Sequence, residues 1–217
     1  MIDTVLFDMD GVLLDTEPLW GKCMLRIAER HNIPITKDKF KETTGLRIYE
    51  VTDYWMHRYP WEGSTPVEVA EEILDDIIET SKIEGRVLPG VVESLELLKQ
   101  NGYKVGLASS SPMRMIDDLI THFDIKKYFD TVTSADSVEL GKPNPAVFLL
   151  SAKELNVNPL QCVVIEDSVN GMVAAKAARM KVIVVPDVLN FHKLQFELAE
   201  AKLTSLKEFD LDILKRI

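Results

Sequence analysis

Two aspartates near the start of the chain, Asp8 and Asp10, form the pattern with the clearest chemical meaning. They follow a short apolar run over residues 2–7 and precede Gly11, which indicates a buried strand that stops at a turn. Side chains two positions apart point to the same side of an extended chain, so the two carboxylates must repel each other unless a cation or a shared proton separates them. The pair therefore predicts a metal site or a nucleophile with an acid/base partner, with a helix-capping acid as the structural alternative.

Three later segments carry polar groups that phosphate or metal chemistry could use. Ser109–Ser111 follows another apolar run and opens a predicted helix, so its hydroxyl and N–H groups suit either a bound anion or a helix cap. Lys142 lies between turn-forming residues and could hold a phosphoryl oxygen, whereas an isolated lysine is usually a surface residue. Glu166 and Asp167 follow a further apolar run and offer the hard oxygen donors that Mg²⁺ binds, with helix capping as the alternative.

Short apolar runs alternate with helical patterns in most of the chain, and this alternation indicates βαβ units with a parallel sheet. The fold class predicted is therefore α/β, and parallel sheets of this class bind ligands beyond the carboxyl ends of their strands. The expected strands cover residues 2–7, 104–108, 131–133, 162–165 and 181–185, and the expected helices cover residues 91–100, 113–123, 146–155 and 169–178.

Local signals mark some of the element boundaries. Pro89-Gly90 and Asn101-Gly102 bracket the helix expected over residues 91–100. Ser111-Pro112 is typical of an N-cap followed by proline at the first helical position. A second Asp-x-Asp pattern at residues 210–212 lacks the apolar strand and the glycine of the first, and we interpret it as a solvated feature of the tail.

The stretch from residue 15 to residue 86 has helical patterns and no convincing strand. We therefore expect a core domain of residues 1–14 and 87–217, with a helical domain of residues 15–86 inserted after the first strand. All three tryptophans lie in this insert, which is typical of the core of a small helical bundle, although one or two aromatic rings could wall a ligand pocket. The helices expected in the insert cover residues 19–32, 37–43, 48–59 and 66–82.

Composition limits the classes of partner. The 217 residues are 46% apolar and 28% charged, as in an ordinary globular protein, and the net charge of −10 argues against non-specific binding to nucleic acid or an anionic membrane. A phosphorylated small molecule remains compatible, because local cations can override the global charge. No apolar run approaches 18 residues, and Cys23 and Cys162 form no CxxC pattern, so we expect a cytoplasmic protein with reduced thiols and no membrane segment.

The four predicted strand-end groups complement one another chemically. An aspartate carboxylate can attack phosphorus and form an aspartyl-phosphate, which divides a difficult hydrolysis into two easier steps. A magnesium ion and a lysine can offset the charge on the transferring group. The order of these groups along the chain therefore predicts a site for a phosphoryl group and Mg²⁺.

The same four motifs resemble, in order, those of the haloacid dehalogenase-like hydrolases. The resemblance covers essentially the whole chain, and the helical insert is similar to the small C1-type cap that these proteins carry on a Rossmann-like core. Stretches at residues 15–20, 45–48 and 166–172 further resemble the bacterial hexitol phosphatase and 2-deoxyglucose-6-phosphatase group. The motifs that carry the resemblance are Asp8-Met9-Asp10-Gly11, Ser109, Lys142-Pro143-Asn144-Pro145 and Glu166-Asp167-Ser168.

The resemblance implies a Mg²⁺-dependent phosphatase that acts on a small phosphorylated sugar or sugar alcohol. Asp8 would be the nucleophile and a metal ligand. Asp10 would protonate the leaving oxygen and then activate water, while its backbone carbonyl also binds the metal. Asp167 would complete the metal shell directly, and Glu166 would do so through water.

The resemblance also assigns the groups that bind substrate. Ser109 and Lys142 would hold the phosphoryl oxygens, with help from the backbone amide of Ser110. Candidates for contact with the sugar are Glu17, Trp20 and Arg47. For these three the structural alternatives are a first-turn helix acid, a core aromatic residue and a surface or ion-paired arginine.

The sequence is also compatible with other functions. A β-phosphoglucomutase has the same core and cap, but we would expect a histidine at the position of Trp20 and a cap lysine at the position of Thr44, so this chain favours transfer to water. True dehalogenases lack the second aspartate, and Asp10 therefore argues against that activity. A non-enzymatic receiver module shares the carboxylates, hydroxyl and lysine but has no cap and no second aspartate. The need for the cap to move favours a monomer.

Overall fold

The computed structural model describes residues 2–36, 39, 43 and 46–217. Its internal contacts divide the chain into two compact units. The first, which we call the α/β unit, consists of Met1–Asp15 and Val87–Ile217, and the second, the helical unit, consists of Thr16–Arg86. Within the described ranges, no helix combines the length and the apolar character needed to cross a membrane. Both cysteines are buried and free.

The α/β unit is built on a six-stranded sheet in which every neighbouring pair is parallel, with the order β3-β2-β1-β4-β5-β6. This confirms the predicted α/β fold with a parallel, Rossmann-like sheet. The central strands are buried on both faces, which explains why they are nearly continuous apolar runs in the sequence. The strands are β1 Thr4–Phe7, β2 Lys104–Ser109, β3 Thr131–Ser134, β4 Cys162–Glu166, β5 Lys181–Val184 and β6 Ala201–Lys202.

The strand order changes direction between β1 and β4, and this point determines where a ligand site can form. On one side of β1, Phe7 pairs with Leu107 of β2, and on the other side it pairs with Ile165 of β4. The residues that follow these three positions therefore emerge together at the carboxyl edge of the sheet. In doubly wound sheets, ligands bind in the crevice at such a switch point.

The helices agree with the predicted periodicity to within a few residues at most ends. Gly90 begins the helix at 91–100 as its N-cap with a left-handed backbone (φ +89°), and Asn101 caps the other end. A side chain on Gly90 would also overlap the backbone of Leu206, so glycine is needed there for two reasons. The helices are α1 Glu17–Arg30, α2 Ile48–Arg58, α3 Pro66–Glu84, α4 Val91–Gln100, α5 Met113–His122, α6 Ala146–Glu154, α7 Val169–Ala177 and α8 Leu211–Arg216.

The expected N-cap of α5 is wrong. The helix begins at Met113, and the capping position is Pro112 rather than Ser111. The first N–H of the helix instead donates to the Asp136 carboxylate, with a Met113 N to Asp136 Oδ2 distance of 2.9 Å. The hydroxyl of Ser111 is therefore used elsewhere.

Two elements at the end of the chain were not predicted. Strand β6 has only two half-buried residues, and it is held by backbone bonds such as the one from Leu203 N to Val184 O. Helix α8 is short, and Asp210 caps it by accepting from the N–H of Ile213 at 2.8 Å. Asp212 is exposed and pairs with Lys215, so this second aspartate pair is a solvated feature as expected.

The helical unit packs α1, α2 and α3 around an apolar core of its own. Trp55 and Trp61 are buried in this core, and Trp20 packs against it while partly exposed. The aromatic enrichment of the insert is therefore largely core packing. Apart from Lys39 and Thr43, the helix expected at residues 37–43 lies outside the described residues, as does Thr44.

Candidate active site

Asp8 lies at the carboxyl end of β1, in the crevice at the switch point. Its backbone N–H donates to the carbonyl of Ile165 at 3.0 Å, so the pairing of β1 with β4 extends one residue beyond the strand. The residue is only 7% exposed. The sheet therefore places a carboxylate at the edge of the core with little solvent around it.

The ammonium of Lys142 joins three strand ends. Its Nζ donates to Asp8 Oδ1 at 2.7 Å, to Glu166 Oε1 at 2.7 Å and to the backbone carbonyl of Ala108 at 3.1 Å. These contacts use the three donors of an ammonium group, and the residue is 7% exposed. The ring of Phe148 lies 4.8 Å from Nζ and covers the cation. Lys142 is thus a buried member of the site and not a surface lysine.

Burial and local charge control the protonation of this cluster. Burial, together with the nearby carboxylates of Glu166 and Asp10, raises the pKa of Asp8 to about 7 against the opposing effect of Lys142. Burial by itself would lower the pKa of Lys142, but the two carboxylates bound to it outweigh that effect and hold this pKa above its ordinary value. The cluster therefore holds a fixed positive charge beside an excess of acidic groups.

Three carboxylates converge in a way that suits a divalent cation. Asp8, Glu166 and Asp167 each offer one oxygen, and these oxygens lie within 4.8 Å of one another. Hard oxygen donors of this kind suit Mg²⁺ or a similar ion. Gly11, at φ +75°, allows Asp167 to lie against the turn after β1, because a side chain at position 11 would overlap the Asp167 carboxylate.

Glu166 is fully buried and both of its oxygens already have protein partners. Oε1 accepts from Lys142, and Oε2 accepts from the N–H groups of Asp167 and Ser168 at 3.0 Å each and from the Ser168 hydroxyl at 2.9 Å. These bonds fix the loop between β4 and α7, including the backbone of Asp167. They favour an orienting role for Glu166 over direct contact with an ion.

Gly171 provides the space that Glu166 occupies. It lies in α7, and a Cβ atom at this position would overlap the Glu166 carboxylate. We expect Gly171→Ala to displace that carboxylate and to lower the free energy of unfolding by about 1–3 kcal/mol, the usual cost of overpacking. Urea unfolding of the purified protein measures this change.

A matched control for this substitution is Val173→Ala, because Val173 lies on the same helix and is 40% exposed. It should change the free energy of unfolding much less than Gly171→Ala does. Equal unfolding curves for Gly171→Ala and the parent protein would show that the protein can accommodate a methyl group beside Glu166 without loss of stability.

Asp10 lies two residues after Asp8 and contacts the loop that follows β2. The hydroxyl of Ser111 donates to Asp10 Oδ2 at 2.6 Å, and the N–H of Ser111 donates to Ser109 Oγ at 3.0 Å. Ser109 is the last residue of β2 and is buried, and Ser110 follows it directly. The ends of β1 and β2 are therefore connected through Asp10 and Ser109, which were predicted site residues, and through Ser111. The sequence had assigned Ser111 to a helix cap.

The three candidates for sugar contact all belong to the helical unit. Glu17 is the exposed first residue of α1, and Trp20 packs against the core of that unit. Arg47 precedes α2 and forms an ion pair with Glu50, with its Nε donating to Glu50 Oε1 at 2.9 Å. Arg47 thus has the ion-paired environment that was its structural alternative.

Two contributors to the site received no role in the sequence analysis. Ser168 was part of a quoted motif only, and the structure shows that it caps α7 by accepting from the N–H of Gly171 at 3.0 Å while it donates to Glu166. The carbonyl of Ala108 has no sequence signal, because any residue offers the same group. Its contact with Lys142 depends only on the fold.

Comparison with known proteins gives consistent results. A family model described as haloacid dehalogenase-like hydrolase matches residues 2–179. Hexitol phosphatase B from Escherichia coli K12 is 44% identical over 204 residues, which are 94% of this chain and 92% of that protein. A phosphorylated carbohydrates phosphatase from Thermotoga maritima is 34% identical over 223 residues, covering all of both chains. Among solved structures, a β-phosphoglucomutase from Clostridium difficile is 27% identical with a TM-score of 0.84, covering 99% of this chain and 96% of that one.

Proposed function

Since this chain belongs to the haloacid dehalogenase-like hydrolases and is a phosphoric monoester hydrolase, we propose that it removes phosphate from hexose and hexitol phosphates with the help of Mg²⁺. Suitable substrates include sorbitol 6-phosphate and 2-deoxyglucose 6-phosphate. The observation that carries the proposal is the buried contact of Lys142 with Asp8 and Glu166 at the switch point of the sheet. Membership of a hydrolase family also argues against the alternative that the protein is a non-enzymatic receiver module.

In the first half-reaction, a carboxylate oxygen of Asp8 attacks phosphorus. A bond forms between that oxygen and phosphorus, and the bond between phosphorus and the sugar oxygen breaks. Asp10 gives its proton to the departing oxygen, so the sugar leaves as a neutral alcohol. The enzyme then carries an aspartyl-phosphate on Asp8 and an ionised Asp10.

In the second half-reaction, ionised Asp10 takes a proton from water as the water oxygen attacks phosphorus. The bond between phosphorus and Asp8 breaks, which releases inorganic phosphate and restores both carboxyl groups to their starting states. One residue thus serves as acid and then as base. The second aspartate therefore takes part in both half-reactions.

Cationic and hydrogen-bonding groups would hold the phosphoryl oxygens during both steps. Lys142 is already fixed beside Asp8 and would exchange one of its three present contacts for a phosphoryl oxygen. Ser109 with the N–H of Ser110 lies at the end of the adjacent strand β2. Asp8, Asp167 and the carbonyl of Asp10 would hold Mg²⁺, with Glu166 acting through water. When bound, this ion offsets the negative charge of the transferring group.

We further propose that the helical unit acts as a cap that covers the substrate and excludes water before chemistry. Its hinges would lie at residues 15–16 and 86–89, where the chain passes between the two units. Glu17, Trp20 and Arg47 remain the candidates for contact with the sugar. Release of Arg47 from Glu50 would be needed before its guanidinium could bind a substrate.

A panel of sugar phosphates tests the proposed function. We expect the protein to release inorganic phosphate from sorbitol 6-phosphate and 2-deoxyglucose 6-phosphate in the presence of Mg²⁺, and to lose this activity in EDTA. The 6-phosphates should be better substrates than β-glucose 1-phosphate. Phosphate release and formation of glucose 6-phosphate are both measured for every substrate.

The panel also separates the phosphatase from the mutase alternative. Conversion of β-glucose 1-phosphate to the 6-phosphate without phosphate release would make the protein a mutase, and the relative of that name shares the fold. Trp20 at the position where a mutase would carry histidine favours hydrolysis. Full activity in EDTA would contradict the proposed role of the metal.

A further inference from the structure

The hydroxyl group of Ser111 makes a short contact inside the site. Its Oγ donates to Asp10 Oδ2 at 2.6 Å, and the residue is only 6% exposed. This distance is in the range of charge-assisted hydrogen bonds between a hydroxyl and a carboxylate. Such a bond limits rotation of the carboxyl group about its side-chain torsions.

The backbone of Ser111 is itself fixed on both sides. Its N–H donates to Ser109 Oγ at 3.0 Å, and its carbonyl accepts from Ser134 Oγ at 2.7 Å. Ser109 ends β2 and Ser134 ends β3, and both are buried. Two strands of the sheet thus fix the backbone from which the Ser111 hydroxyl projects toward Asp10.

Helix capping does not explain this arrangement. The first N–H of α5, at Met113, donates to Asp136 instead, and Ser111 lies one residue before the capping position. Ser111 is buried, two strands hold its backbone, and its own helix does not use its side chain, so the contact with Asp10 is what its hydroxyl serves. That contact joins residues 101 positions apart in the chain.

We infer that Ser111 is a positioning residue that holds the carboxyl group of Asp10 in the orientation needed for proton transfer. The inference rests on the proposed function, in which Asp10 is first an acid and then a base. A hydroxyl can donate to a carboxylate and can also accept from a carboxylic acid. The contact can therefore persist before and after Asp10 passes its proton.

The test compares two esters that differ in their need for an acid. An alcohol leaving from sorbitol 6-phosphate must be protonated, whereas p-nitrophenolate leaves readily without a proton. The parameter measured is kcat/KM, which reports the steps up to release of the first product. We expect Ser111→Ala to lower kcat/KM for sorbitol 6-phosphate by about 10–100-fold, because part of the acid–base contribution is lost. The same substitution should lower kcat/KM for p-nitrophenyl phosphate by less than about threefold.

Two further variants complete the design. Ser111→Cys keeps nearly the same volume but has a weak S–H donor, and it should show the same loss confined to the sugar phosphate. Ser94→Ala removes another buried serine hydroxyl of the α/β unit, whose contact is with the carbonyl of Leu206, and it should leave both values unchanged. Thermal unfolding of each variant confirms that it is folded.

The outcomes distinguish the inference from the function on which it rests. Equal losses with both esters, or no loss with either, would overturn the positioning role of Ser111 while leaving the phosphatase intact. A parent protein that releases phosphate from neither ester would overturn the proposed function and the inference together. A loss restricted to sorbitol 6-phosphate supports both.

Discussion

Asp8→Asn should release no phosphate above background from any substrate, while the protein remains folded. An amide is not a nucleophile toward phosphorus, so the aspartyl-phosphate cannot form and the faster two-step route is closed. Asparagine has nearly the same size and its carbonyl can still accept from Lys142, which in the parent protein lies 2.7 Å from Asp8. Burial already disfavours the charge at this position, so its removal should not unfold the protein.

Phosphate release at saturating substrate and Mg²⁺, together with a thermal unfolding curve, measures both parts of this expectation. Asp117→Asn is the matched control, because it makes the same chemical change at an exposed carboxylate that pairs with Lys126 on the surface. The control should keep full activity. Hydrolysis by Asp8→Asn at more than a trace of the parent rate would show that Asp8 is not the nucleophile.

Asp10→Asn should lower kcat by about 10²–10⁴-fold, the usual contribution of a general acid or base. The effect is large because the same carboxyl group acts in both half-reactions. Asparagine can still bond to Ser111, so the geometry around position 10 should be retained. Steady-state kinetics with sorbitol 6-phosphate measure the change.

The leaving group provides an internal check on this second variant. With p-nitrophenyl phosphate the first half-reaction needs no acid, so Asp10→Asn should form the aspartyl-phosphate readily and break it down slowly. Unchanged kinetics with both esters would remove Asp10 from the mechanism.

The sheet and the principal site residues could be predicted because their signals are local. A buried parallel strand is a continuous apolar run, and Asp8, Ser109 and Glu166 each lie at or next to the end of such a run. Parallel strands share one carboxyl edge, so residues far apart in the sequence were expected to meet there. Asp8 and Glu166 meet there in this way, and both accept from Lys142, which lies between β3 and α6.

The remaining features depend on contacts that no local pattern specifies. Ser111 precedes a proline at a helix start and therefore has the sequence of an N-cap, but Asp136, brought there by β3, bonds to the first N–H of the helix instead. Strand β6 has too few apolar residues to be recognised, and its pairing with β5 alone defines it. The need for glycine at position 171 follows from the Glu166 side chain and not from the backbone conformation of the glycine itself.

The most direct test of the aspartyl-phosphate mechanism is rapid mixing of the Asp10→Asn variant with ³²P-labelled p-nitrophenyl phosphate and Mg²⁺, followed by acid quench and peptide mapping. The proposed mechanism predicts a burst of about one nitrophenolate per enzyme, with the label on Asp8 and removable by hydroxylamine, as expected of an acyl phosphate. Nitrophenolate release without a burst and without label on Asp8, or label on another residue, would contradict it.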